Sequence, residues 1–291
     1  MSISVSASTA KPRRTAQEIR RVIFSNIGWV LCGFALLCVI GPLVDIVVDV
    51  GWHGLSAFSP KLFTTVTNGT AGGLLNAIEG TAVISVLAMG IAVPIGVGAG
   101  IYLSEYGNNK LGSTIRFLSD VLTGTPSIVL GYFSYIVFII SLGWGFSVLA
   151  ASITIAILVV PYLARITELA LRQVPNTMRE AGFALGATEP TVVFKIILPG
   201  AASGVVTGAL LALAISVGET APLIYTADWS NYMWNGKLTH EPIGYLTYVI
   251  WSFIDQPYAE SHALAYAAAF LVMLVVLAIN VGVRLTVRRA K

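Results

Sequence analysis

Six apolar runs dominate this sequence, each longer than the roughly 20 residues a helix needs to cross a hydrocarbon core. They cover approximately residues 25–48, 75–103, 113–142, 146–169, 200–227 and 261–283. A backbone in lipid must satisfy its own hydrogen bonds, so runs of this length predict helices. Composition agrees, since only 11% of the 291 residues are charged, against about 25% in a soluble domain. The expected fold class is an all-α integral membrane protein with six transmembrane helices. A basic N-terminal tail (1–24) precedes a six-span body (25–285), and a short basic tail (286–291) follows it. Within the body, 170–199 is the long inner loop and 228–260 the long outer one. No cleavable leader is expected, because the first run is too long and lacks a small-residue cleavage site.

Charge orients the spans. Six crossings place both tails on one side, together with the 104–112 and 170–199 loops. Of the 17 Lys and Arg residues, all but Lys61 and Lys237 lie on that side or flank it. Both tails are therefore expected in the cytoplasm, in a multi-pass protein of the plasma or inner membrane. His53, His240 and His262 all fall on the outer side, and Cys32 and Cys38 share one apolar run. That distribution points to no metal, no cofactor and no disulfide, and no nucleic-acid partner is expected.

The inner loop contains Glu180–Pro199, reading EAGFALGATEPTVVFKIILP. Thr177 and Glu180 have capping-box spacing, which predicts a helix from about Met178. Gly186 is a natural stop, and Glu189-Pro190 restarts a second helix towards Pro199. Phe183 and Leu185 need something to pack against. A separate protein would serve, and so would the headgroups or the chain's own bundle.

Ionisable residues inside spans are expensive, so each is a functional candidate. Asp120 follows Arg116 by four residues, which predicts a pair on one helix face. Arg165, with Glu168 three residues on, either snorkels to the interface or lines a pathway. Glu219, in Gly218-Glu219-Thr220-Ala221-Pro222, must face a partner subunit, another helix or a wet cavity; pairing with an arginine for packing is the alternative. In Thr123-Gly124-Thr125-Pro126-Ser127, Thr125 as N-cap would let a new helix start inside the membrane and offer N–H groups to an anion. A proline kink is the rival reading. Pro94, Gly96, Gly98 and Gly100 lie in a charge-free run and read as close helix packing.

The spacing Glu180-Ala181, Gly186, Ile196, Leu198-Pro199 resembles the EAA loop of ABC-importer permeases, with Gly182 as the one departure. In that family the loop docks on the ATPase subunit, which implies a docking segment of Glu180, Ala181, Gly182, Phe183, Leu185, Gly186 and Ala187. Gly182 in place of alanine weakens the helix by up to about 1 kcal/mol. The stretches Asn76–Tyr106, Leu122–Phe133 and Gly218–Ala227 are similar to phosphate-specific permeases of the PstA type, a likeness that extends over about residues 25–285. The resemblance implies a type I importer (MetI-like) fold in the lipid bilayer, paired with a sister permease of the PstC type. A PstB-type ATPase dimer would bind ATP and Mg inside, and a PstS-type phosphate-binding protein would dock outside. In the family, basic residues of the fourth and fifth spans are implicated in the phosphate path. Arg165 matches the first, while Ile215 occupies the place of the second, which leaves that charge to the sister permease. The expected path residues are Arg165, Glu219, Thr125, Ser127 and Thr220.

The function expected is the permease subunit of an ATP-driven importer for inorganic phosphate. No Gly-x4-Gly-Lys-Ser/Thr occurs, so ATP hydrolysis belongs to another subunit and this chain is not an enzyme. Sulfate or molybdate would also fit a cationic path. A proton-coupled secondary transporter would use Asp120 and Glu219 as carriers. An intramembrane hydrolase would need a base or a second carboxylate near a serine, and the spans offer none.

Overall fold

The computed structural model describes residues 16–289, so Lys11, Arg13, Arg14 and Lys291 of the expected tails lie outside it. The chain divides into two compact units, Met1–Gly51 and Trp52–Lys291. The described part of the first unit is the body of helix α1 (Ala16–Ala57), which extends the first apolar run at both ends. Pro42 lies inside this helix without ending it, as membrane helices tolerate.

The second unit begins with a short helix, α2 (Lys61–Thr64), and a two-residue hairpin, β1 (Thr67–Asn68) and β2 (Ala71–Gly72). Then come α3 (Leu75–Glu105), α4 (Lys110–Gly124) and α5 (Ser127–Ser134), which continues as a π-helix over Tyr135–Ser141. Next are α6 (Val148–Arg172), α7 (Asn176–Ala184), α8 (Glu189–Val192) and, after a π-helical turn at Val193–Ile197, α9 (Leu198–Gly218). The unit closes with α10 (Ala221–Ile224), α11 (Leu246–Phe253) and α12 (Ala259–Arg289). Helix starts are signed locally: Asn109 accepts from the Gly112 N–H ahead of α4, and Ser147 from the Ala150 N–H ahead of α6.

Helices α3, α6 and α9 form the centre. Ala92 of α3, Ala156, Val159 and Leu163 of α6 and Ala212 of α9 make one buried cluster. Small residues bring the backbones together, as in other membrane bundles. A Cβ on Gly96 would lie 2.6 Å from that of Leu163, and one on Gly100 would strike Thr167. Gly96 and Gly100 are thus packing positions, as expected, whereas Gly98 meets nothing within 4 Å and is not one. Helix α12 lies on α9 and α11, and buries Leu264, Ala268 and Leu271 with Leu74, Ala77, Val249 and Phe253.

Among the described residues, five helices are long and apolar enough to cross a membrane, and the third apolar run supplies a sixth element as a bent pair. Its two halves, Lys110–Gly124 and Ser127–Ser141, meet at 100°, so the run is not one straight span. Pro126 is the cause: it disfavours helix at the preceding residue, and Thr125 is extended at φ −80° and ψ 131°. A new helix does begin here, but Thr125 does not cap it. Its hydroxyl instead donates back to the Val121 carbonyl, 2.8 Å away, and closes α4.

The fifth run also differs from expectation. The second helix of the inner loop does not stop before the membrane, and Glu189–Gly218 is one rod of 30 residues. It ends at Glu219 rather than near Ala227, because Pro222 has no N–H to give the Gly218 carbonyl. In the inner loop, α7 starts at Asn176, ahead of the expected Met178. No side chain caps it, so Thr177 lies inside the helix and the capping box does not form. Gly186, at φ +76°, provides the expected stop.

Candidate functional site

The two membrane breaks meet. The Ser127 side chain at the start of α5 faces the Glu219 carboxylate at the end of α9. Behind this pair, α5 packs on α10 so closely that a Cβ on Gly131 would lie 2.5 Å from the Cα of Pro222. Tyr132 and Tyr225 meet edge to face, with ring centroids 5.9 Å apart. The carbonyl that the break exposes at Glu219 accepts the Thr247 hydroxyl at 2.7 Å. Thr220 turns the chain into α10, its carbonyl accepting from Leu223 at 3.1 Å and Ile224 at 3.2 Å. Glu219, Thr220, Thr125 and Ser127 are all half-buried. Among the described residues no Lys or Arg forms an ion pair with Glu219, so the arginine-paired reading is not what this chain forms by itself. Ile215 packs against the central cluster that contains Leu163 and Ala212.

Arg165 belongs to a different cluster. Glu168, 1% exposed, receives Arg116 at 2.8 Å, Arg165 at 3.2 Å and Arg172 at 2.8 Å. Arg116 also donates to the carbonyls of Leu103 (2.7 Å) and Gly107 (3.0 Å) at the end of α3. The expected Arg116–Asp120 pair is therefore replaced, and Asp120 is exposed. A buried carboxylate recruits the arginine more strongly than a solvated one, because desolvation makes an unpaired charge expensive. Three guanidinium groups around one carboxylate leave two positive charges in excess, carried outwards by the half-exposed Arg165 and Arg172. Ile166 packs on Gly208 of α9. Arg165 is therefore about eleven residues of helix, roughly 16 Å along the axis, from Glu219. Ser127, Thr220 and Glu219 come together, and Arg165 stands apart from them. Glu168 escaped the sequence reading as a hub, although Arg165, Glu168 and Arg172 share one helix face.

In the loop between α6 and α9, α7 displays the expected segment. Glu180, Ala181, Phe183, Leu185 and Gly186 are exposed, Leu185 by 88%, and Ala187 is half-buried. Met178 and Phe194 extend the exposed apolar surface. Gly182 is the exception. It is buried, and a Cβ there would stand 2.7 Å from Ile196 Cδ1 and 3.0 Å from Val192 Cγ2. Glycine thus seats α7 closely on the rod behind it. That seat is a cluster of Ala170, Leu171, Val174, Val192, Ile197 and Ala201.

A bundle of apolar helices with an exposed, firmly seated loop is the architecture of a multi-pass membrane protein, and comparison with known proteins narrows the class. Residues 92–291 match the family described as binding-protein-dependent transport system inner membrane component. The chain is 41% identical over 266 residues to the phosphate transport system permease protein PstA 2 of Mycobacterium bovis, covering 91% of this chain and 88% of that one. It is 38% identical over 293 residues to the phosphate transport system permease protein PstA of Yersinia pestis, covering 98% and 97%. This chain belongs to the binding-protein-dependent transport permeases and, within them, to the PstA family. Its fold is similar to that of a chain from the inward-facing MetNI methionine ABC transporter, at a TM-score of 0.63 and 21% identity, over 75% of this chain and 96% of that one.

Proposed function

We propose that this chain is the transmembrane permease subunit of an ATP-driven importer for inorganic phosphate. One observation carries the reading: a chain 38% identical to a phosphate permease over 98% of its length presents an exposed apolar loop on a buried support. In this reading an ATPase dimer binds ATP and Mg and docks on Glu180, Ala181, Phe183, Leu185 and Gly186, with Gly182 and Ala187 seating the loop. A phosphate-binding protein delivers the anion from outside, and both tails lie in the cytoplasm.

Phosphate passes between this chain and a sister permease. The first N–H groups of α5, uncapped by any side chain, and the hydroxyls of Ser127 and Thr220 supply donors beside the break, while the Thr125 hydroxyl, given to the Val121 carbonyl, shapes it. A helix start of this kind suits an anion inside a membrane. Glu219 repels a free anion, so its role is to hold a cation of the sister permease at the path. That cation supplies the charge that Ile215 lacks. Arg165 attracts phosphate nearer the cytoplasmic end.

The test is uptake of labelled phosphate at low external concentration, in cells lacking this chain and in cells given Glu180→Arg. Both are expected to lose phosphate uptake while sulfate uptake persists. Unchanged phosphate uptake with loss of another oxyanion would reassign the substrate. Uptake by this chain alone, abolished by an uncoupler, would replace the importer with a proton-coupled carrier.

A further inference from the structure

The guanidinium of Arg179, beside the docking segment, is bound on every side. It donates to both carboxylate oxygens of Glu105 at the end of α3, at 3.2 and 2.9 Å. It also reaches the carbonyl of Leu171 in the last turn of α6 at 3.1 Å and that of Val174 just beyond at 2.8 Å. Asn176 Oδ1 takes a further bond at 3.2 Å. Ser104 donates to Glu105 Oε1 at 2.7 Å, the same oxygen that Arg179 Nη2 reaches. The two side chains are only 18% and 11% exposed. A two-pronged arginine–carboxylate contact sets angle as well as distance, and the α6 carbonyls are acceptors that a helix end leaves open. Three elements thus converge on one side chain: α7, α3 and α6.

A second arginine extends the chain of contacts. Arg116 of α4 binds the Leu103 and Gly107 carbonyls at that same end of α3, and Glu168 of α6. At its far end α4 stops at Thr125, next to the Ser127–Glu219 contact.

We propose that the Arg179–Glu105 pair is the strut that carries movement of the docked loop into α3 and, through Arg116, along α4 to the break at Thr125–Ser127. Arg179 and Glu105 are positioning residues and touch neither nucleotide nor phosphate. The proposal rests on the reading that the ATPase docks on this loop. It adds that docking without the strut leaves hydrolysis uncoupled from transport.

The experiment uses the complete transporter reconstituted in vesicles with its binding protein, and reads ATP hydrolysed per phosphate taken up. Glu105→Gln and Arg179→Lys are expected to keep the ATPase subunit bound while that ratio rises by about three- to tenfold. The double variant is expected to be no worse than the poorer single one, because both act through one contact. A wild-type ratio in both single variants would overturn the proposal. So would loss of the ATPase subunit from either variant, since the pair would then be holding the docking surface. The docking reading fails separately, if Glu180→Arg leaves the ATPase bound and stimulated.

Discussion

Glu168 shows how far a single side chain can decide local order. Its carboxylate is 1% exposed and surrounded by Arg116, Arg165 and Arg172. Removing one partner of a buried pair strands the others, so Glu168→Ala is expected to destabilise the permease by about 2–4 kcal/mol. Arg165→Ala removes a half-exposed partner and is expected to lower stability by less than about 1 kcal/mol. Thermal unfolding of the purified permease compares the two; equal effects would mean that the hub is not a unit. The sequence shows Arg165, Glu168 and Arg172 on one helix face, but it assigns Arg116 to Asp120. Spacing within a helix sees only that helix. The competing carboxylate lies 52 residues away on another helix and is buried, and burial settles the competition.

Among the elements, the breaks were legible and their consequences were not. Pro126 and Pro222 mark the residues where a helix must stop, and both stops occur beside them. The 100° turn between α4 and α5 depends on what α5 packs against, namely α10. The Gly131 contact is the close point of that packing, and its neighbour is backbone that cannot swing aside. Gly131→Ala is expected to destabilise by about 1–3 kcal/mol. Gly90→Ala on α3 meets nothing within 4 Å and is expected to be neutral or slightly stabilising. Melting of the two variants side by side checks this, and a harmless Gly131→Ala would show that α5 and α10 are free to separate. In the inner loop, the sequence marks the helical segment but not its start at Asn176. Its capping box is a pattern of spacing, whereas Pro175 and the Arg179 contacts set where α7 begins.

For the molecule as a whole, charge alone predicts the orientation, because the lysine and arginine bias depends on loops rather than packing. Single cysteines at Leu185 and Tyr232, with Cys32 and Cys38 replaced by serine, test it in cells lacking the ATPase subunit. A membrane-impermeant thiol reagent is expected to label Tyr232→Cys on intact cells and Leu185→Cys only in inverted vesicles. The reverse pattern would turn the protein over. Apart from the exposed loop, faces that would meet another membrane subunit were not legible, since they are complementary to chains whose sequences are elsewhere. The rod from Glu189 to Gly218 has a bearing on how such a protein can change over time. It joins the loop to the membrane break without a flexible joint, and its π-helical turn at Val193–Ile197 sets the rotation of one end against the other. Adding or deleting a single residue there would turn Glu219 by about 100° relative to Phe183. Side chains along the rod can be exchanged one at a time, but its length is locked to the angular phase of its two ends.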